Sequence, residues 1–285
     1  MTRNPALAAG AALLASAALA APAAAQEILA PEVRGRPVED TDEWVVTLRG
    51  AALLTPSWLG SNDMSLSLVP DVRVQYGDTF FASIPEGVGW NAIRGDGWKI
   101  GPLAKIRFGR SEENGGSPFQ IFGRSNDLRG MGDVNASAEI GGFAEKRFGS
   151  DGQWEARAEV LKGFGGHDGV VAYTSLDYRK RLGLASLRVG PRLNLVSGDF
   201  NDTFFGIDEV QSARTGLPVY DADGGVLSWG AGASLVQPLS RRSAISAFGN
   251  VEYLGSEPGN SPLIEERGQR LQMSVGIGYG YRFSL

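Results

Sequence analysis

Residues 271–283 read Leu-Gln-Met-Ser-Val-Gly-Ile-Gly-Tyr-Gly-Tyr-Arg-Phe. The odd positions, Leu271, Met273, Val275, Ile277, Tyr279, Tyr281 and Phe283, are all apolar or aromatic. The even positions, Arg270, Gln272, Ser274, Gly276, Gly278, Gly280 and Arg282, are small or polar. An unbroken period of two is a strand, because a helical turn would mix the two sets. Strands in soluble proteins usually run about five or six residues, whereas crossing a bilayer takes about nine to eleven. The segment predicts a membrane-spanning strand with its odd face toward lipid.

The same alternation recurs upstream. Leu66, Leu68, Pro70, Val72, Val74 and Tyr76 alternate with Ser67, Val69, Asp71, Arg73 and Gln75. Ile100 to Phe108, Trp154 to Val160 and Ala185 to Leu195 repeat it, and 44–52, 79–93, 136–148, 170–181, 226–237 and 244–254 are further candidates. Gly141-Gly142 reads as a bulge that shifts the phase of 136–148. These make about eleven strands, but bacterial barrels have even numbers. Pro85 interrupts 79–93 and is the expected point of division, since proline cannot donate to a central ladder. The prediction is an all-β, antiparallel, up-and-down transmembrane barrel of about twelve strands, with ten as the alternative.

Composition narrows the class. No run of about twenty apolar residues follows the N-terminus, so no transmembrane helix is expected. There is no cysteine and only one histidine, His167, which excludes thiol chemistry and a multi-histidine metal site. The formal charge is −5, or −6 once Arg3 is removed with a leader, so nucleic acid is not an expected partner. Arg3, the apolar run from Ala6 to Ala21, and Ala23-Ala24-Ala25 before Gln26 form a signal-peptide pattern. The expected organisation is a leader at 1–25, a periplasmic segment at 26–43 and a barrel at 44–285 in the outer membrane of a Gram-negative cell.

Short turns at 76–78, 149–152 and 240–243 contrast with long, polar segments at 110–134, 198–225 and 256–268, the outer-membrane arrangement of short periplasmic turns and long outer loops. Trp44, Trp98, Trp154 and Trp229 lie near strand starts, as interfacial girdles or as strand-end packing. Inward positions interleave Asp71, Glu139, Glu145, Glu155, Glu159 and Glu252 with Arg73, Lys105, Arg107, Arg147, Arg157, Arg188, Arg192 and Arg270. In a narrow barrel they are expected to pair across the interior and close it, because unpaired charge away from water is costly.

His167-Asp168 between glycines reads as a turn rather than half of a catalytic triad, and no G-x-S-x-G accompanies it. The acids Asp199, Asp202, Asp208, Glu209, Asp221 and Asp223 read as a solvated loop, since Asp221-x-Asp223-Gly224 lacks the closing Glu of a calcium loop. No residue is expected to serve catalysis, a cofactor or a metal.

Several stretches resemble the MipA/OmpV family of outer-membrane proteins, named for interaction with the lytic transglycosylase MltA. They are Pro56–Ser61, Tyr76-Gly77-Asp78 with Phe80-Phe81, Gly166–Gly169, Phe204–Ile207, Gln211–Asp221, Ser261–Ile264 with Arg267-Gly268, and Gly280–Phe283, in family order. Such barrels commonly end on an aromatic residue, whereas here Ser284-Leu285 follow Phe283. The resemblance implies a non-enzymatic scaffold that brings a murein hydrolase to a murein synthase. Its expected partners are outer-membrane lipid, a periplasmic lytic transglycosylase and a penicillin-binding protein. A channel for small solutes is the alternative function, and an outer-membrane hydrolase using His167 a third.

Ala23 and Ala25 fit the small-residue pockets of signal peptidase. Intact mass of the membrane-inserted protein should therefore correspond to a chain starting at Gln26, and a mass that includes residues 1–25 would overturn this reading.

Overall fold

The computed structural model describes residues 43–115 and 118–284. The expected leader and all of the expected periplasmic segment except Glu43 lie outside these residues. Along the described chain the strands are β1 (Trp44–Pro56), β2 (Met64–Tyr76), β3 (Phe80–Ser83), β4 (Gly87–Trp90), β5 (Ile93–Gly95), β6 (Trp98–Arg107), β7 (Gln120–Phe122), β8 (Ser137–Phe148), β9 (Trp154–Gly165), β10 (Val170–Leu182), β11 (Ala185–Val196), β12 (Gly225–Pro238), β13 (Ser243–Leu254) and β14 (Leu271–Ser284). Four short helices occupy two outer loops: α1 (Gly198–Phe205), α2 (Glu209–Thr215), α3 (Ser256–Gly259) and α4 (Pro262–Arg267).

Twelve strands form one closed antiparallel ring, with β5 and β7 as additions to it. The seam joins β1 to β14 from Val45↔Ser284 to Leu54↔Val275, and β1 also pairs with β2 along its whole length. Closure answers a demand of the bilayer, where an open edge would leave backbone groups without partners. Pro85 does divide 79–93: β3 and β4 are a small hairpin, Phe80↔Trp90 to Ser83↔Gly87, around Ile84-Pro85-Glu86. That hairpin reaches only part-way up the wall. Above it, β7 pairs with β2 at Leu66↔Phe122 and Ser67↔Gln120.

The faces follow the alternation. Ile277 is 61% exposed on the lipid side, whereas Ser274 is 3% exposed on the lumen side. Phe283 lies on β14 opposite Val46, so the two residues after it leave the terminal aromatic inside the ring. The expected bulge at Gly141-Gly142 is absent: β8 pairs with β6 and β9 without a register shift. Phe143 is the source of the difference. It points into the lumen, 4% exposed, with its ring 5.8 Å from that of Phe81 and the Arg157 guanidinium 4.2 Å from its centroid. Phe108, one residue past β6, is likewise buried rather than lipid-facing. A real bulge lies elsewhere, where β11 and β12 shift register between Asn194 and Leu195 and both Leu227 and Ser228 are buried.

Trp44, Trp98 and Trp154 begin upward strands and so stand at the periplasmic end, where Trp44 stacks near Tyr76 and Trp154 near Tyr178, each at 5.0 Å. Trp229 lies in the first half of the downward strand β12 and stands with Tyr253 toward the outer end. These outward aromatics make two girdles, the usual anchoring at both interfaces.

The register predicts an asymmetric response on β14. Ile277→Arg should cost about 2–4 kcal/mol near mid-membrane and reduce the heat-resistant folded form on gels. Gly278→Ser should be mild, because the added Cβ first meets the rotatable Ser246 hydroxyl at 2.9 Å. Equal assembly of both variants, or a worse outcome at 278, would refute the register.

Candidate functional site: the capped lumen

The outer loops are polar only on their outside. Phe200, Phe204 and Phe205 of α1, Ile207 and Leu217 beyond it, Leu128 and Met131, Trp58, and Leu263 and Ile264 of α4 form one buried cluster with the inward strand residues Leu161, Val171, Val196, Leu227 and Leu254. Four outer loops thus fold inward over the barrel mouth as an apolar cap. The expectation of long, polar segments holds for their position and fails for their interior. Loops this long bury their own side chains where a rigid rim gives them a surface to pack on.

Polar groups stitch the cap. Arg267 donates to the carbonyls of Asp127 (2.9 Å), Arg129 (3.2 Å) and Thr215 (3.0 Å), which belong to two other loops. Ser261 Oγ donates to the Phe205 carbonyl at 2.6 Å, Gln211 Nε2 to the Met131 carbonyl at 2.7 Å, and Tyr220 to the Glu257 carbonyl at 2.9 Å. Gly60 holds φ at +106°, and a Cβ there would strike Ile264; its N–H donates to Gln272 Oε1 at 3.0 Å. Arg110 donates to the Phe204 carbonyl. Burial pushes its guanidinium down to about 10, so it stays charged at neutral pH. The stretches that carry the family resemblance, Pro56–Ser61, Phe204–Ile207, Gln211–Asp221 and Ser261–Ile264 with Arg267, are the pieces of this cap.

His167 belongs to the cap as well. It is 2% exposed, and its ring lies 5.0 Å from Phe200 and 6.0 Å from Phe204. Nδ1 accepts from Gly169 N at 3.2 Å, and Nε2 lies 3.1 Å from Glu139 Oε1. Its chain neighbour Asp168 is exposed. Both ring nitrogens are engaged and Asp168 does not orient the ring, so the pair is neither a simple exposed turn nor half of a triad. His167 joins the 166–169 turn to β8 and α1. The acidic loop is dispersed: Asp208 caps α2 with Gln211 in a reciprocal box, while Asp221 and Asp223 lie past the bridge between Ile207 and Tyr220.

Beneath the cap, one half of the lumen wall is charged. On β8 and β9, Glu145 faces Arg157 and Arg147 faces Glu155 in register. Glu155 draws in Arg147 (2.9 Å), Arg179 (3.0 Å) and Arg188 (3.5 Å). Glu159 bridges Arg157 (2.7 Å) and Lys105, Glu139 holds Arg107 (2.6 Å), and Arg192 meets Asp177 at 2.8 Å. A second group lies at the tip of the short hairpin, where Arg73 and Arg49 close on Glu86 and Arg49 also holds Asp71. Among the described residues these charges pair along the wall, between strands one or two apart, where pairing across the interior was expected. Register places opposite charges side by side, so no side chain has to span the lumen. The facing wall, β12–β14, carries Gly230, Gly232, Ser234, Asn250, Ser274, Gly276 and Gly278 instead. Glu252 is met there by Asn194 and Asn250, and Arg270 reaches Asn260 at the rim. Arg49, Glu86, Asp177 and Arg179 escaped the sequence reading, although Arg49 faces Asp71 across the first hairpin and Asp177 keeps the phase of Val171.

The model of the MltA-interacting protein MipA family matches residues 48–283. Outer membrane protein OmpV of Vibrio cholerae is 28% identical over 162 residues, 56% of this chain and 59% of that protein. Outer membrane protein Omp26La of Vibrio anguillarum is 28% identical over 163 residues, with the same shares. The chain thus matches less than two thirds of the length of these relatives. Among solved structures, the COG4313 outer membrane channel from Pseudomonas putida F1 is 11% identical and covers 88% of this chain and 100% of its own, with a TM-score of 0.46. The NanC porin is 10% identical over 83% of this chain and 98% of its own, with a TM-score of 0.45.

Glu155 is the most heavily shared carboxylate. Glu155→Ala breaks the ion pairs of a buried carboxylate with three guanidiniums and should cost about 3–5 kcal/mol, the usual penalty for removing one partner of a buried pair. Thermal melting in detergent should fall clearly for this variant and stay unchanged for the exposed Asp151→Ala. Equal melting of the two would mean that the lumen charges are solvated.

Proposed function

The chain belongs to the MipA family of outer-membrane proteins, and from this we propose that it is a shut barrel that works through its surfaces, as a scaffold for periplasmic murein enzymes. The observation that carries this reading is the cap. Most of the stretches that carry the family resemblance spend their buried side chains on covering the outer mouth, with large aromatics packed onto the inward strand ends. A solute path needs polar, solvated walls from end to end, and an apolar lid held by the three carbonyl contacts of Arg267 opposes one. The family description records interaction with MltA, a lytic transglycosylase, which supports a hydrolase as one partner; a penicillin-binding protein is the proposed second. The site chemistry supports a non-enzymatic role, because His167 has both nitrogens committed within the fold.

A small-solute channel is the second reading, favoured by the glycines and serines that line the β12–β14 wall. Planar-bilayer recording separates the two. The wild type should give little steady current, and Arg267→Ala should add brief openings by loosening three loops at once. Large, stable wild-type currents would defeat the scaffold reading and favour the channel.

A further inference from the structure

Charge is divided between the two ends of the barrel. The outer loops, 57–63, 108–136, 166–169, 197–224 and 255–270, hold fifteen acidic against six basic side chains. The periplasmic rim is the reverse, and unevenly so. On the arc from β2 to β9 the cations are matched: Lys99 pairs with Asp78, Lys146 donates to the Asp96 carbonyl, and Arg94 to Thr79. On the arc from β10 to β13 they are not. Lys180 and Arg181 at the foot of β10, and Arg241 and Arg242 in the β12–β13 turn, are all exposed. No acidic residue occurs in 178–188, 235–247 or 277–284, and none of the four makes an ion pair among the described residues. The two turns are neighbours, because β11 pairs with β12 at Ser186↔Val236; two strand spacings put them roughly 10 Å apart. Each turn also carries a leucine in water: Leu184 is 78% exposed and Leu239 is 60% exposed.

We propose that this patch, Lys180, Arg181, Arg241 and Arg242 around Leu184 and Leu239, is the docking surface for a periplasmic protein that presents acidic side chains about an apolar one. The proposal rests on the scaffold reading above and gives it a location. Lipid is the weaker occupant, because Tyr178 marks the interfacial girdle with Trp154, and Arg181 and Leu182 stand about 10–13 Å past it along the strand. Murein glycan or phosphate headgroups would answer the cations but leave both leucines in water, whereas a protein surface buries the leucines and pairs the charges together. Unscreened charge of one sign also steers a partner of the other sign, which makes association salt-dependent.

The test uses the complete barrel in nanodiscs and a purified lytic transglycosylase of the MltA class, with binding followed by interferometry at low and high salt. The variants are R181E/R241E/R242E, L184S/L239S and, on the matched arc, D151K, each checked for heat-modifiable migration. Binding should weaken at least tenfold in the first, clearly in the second and within twofold in the third, with salt weakening the wild type more than the triple variant. If the wild type binds and the triple variant binds equally, the docking surface lies elsewhere and the scaffold reading survives. If the wild type does not bind the enzyme, the scaffold reading fails for this partner and the surface proposal fails with it. Loss of co-sedimentation with purified murein sacculi in the triple variant, with enzyme binding intact, would reassign the patch to glycan and overturn the protein partner.

Discussion

Backbone pairing in hydrocarbon is the constraint from which the rest of the molecule follows. A peptide group in the bilayer core has no water to bond, so a sheet there must have no edges. The β1–β14 seam removes the last edge, and a closed antiparallel ring forces every side chain to face either lipid or lumen. Even the short β3–β4 hairpin obeys this rule. Its tip stops within the wall, and there Asp71 Oδ1 accepts from the Ile84 backbone N–H at 3.1 Å, while the β7 segment extends the edge of β2 above it.

The lining of the lumen follows from the same geometry. Register sets acids beside bases on adjoining strands, so charges that would be ruinous alone become a laminated wall whose members share partners. The cap then rests on the rim. Its aromatic side chains need a preformed apolar floor, which the inward ends of β9 to β13 provide through Leu161, Val171, Val196, Leu227 and Leu254. Arg267, Ser261 and Gln211 bond to backbone carbonyls of other loops, and this turns separate loops into one body. The bulge at Leu227 is part of the fit, since one extra residue swings a leucine inward beneath the helices.

The family resemblance acquires a physical meaning in this arrangement. Most of its motifs make contacts within the cap, whereas Tyr76-Gly77-Asp78 with Phe80-Phe81 and Gly280–Phe283 lie at the opposite end of the barrel.

Local pattern and global pairing divide what can be known from the chain alone. Alternation is a property of neighbouring residues, so the sequence by itself determined the spanning strands, the lipid face of β14, the split at Pro85 and the interleaved lumen charges. It misled at Phe143, because an apolar side chain on the lumen face looks like a change of phase when the cavity behind it cannot be seen. It was silent on the cap, because Phe200, Leu128 and Leu263 lie far apart in the chain and become one core only when the ring brings their loops to the same mouth. Which guanidinium shares Glu155, why His167 is enclosed, and where unmatched cations gather were decided by tertiary structure alone. Each depends on register and closure between strands distant in sequence, and no short window of residues contains either.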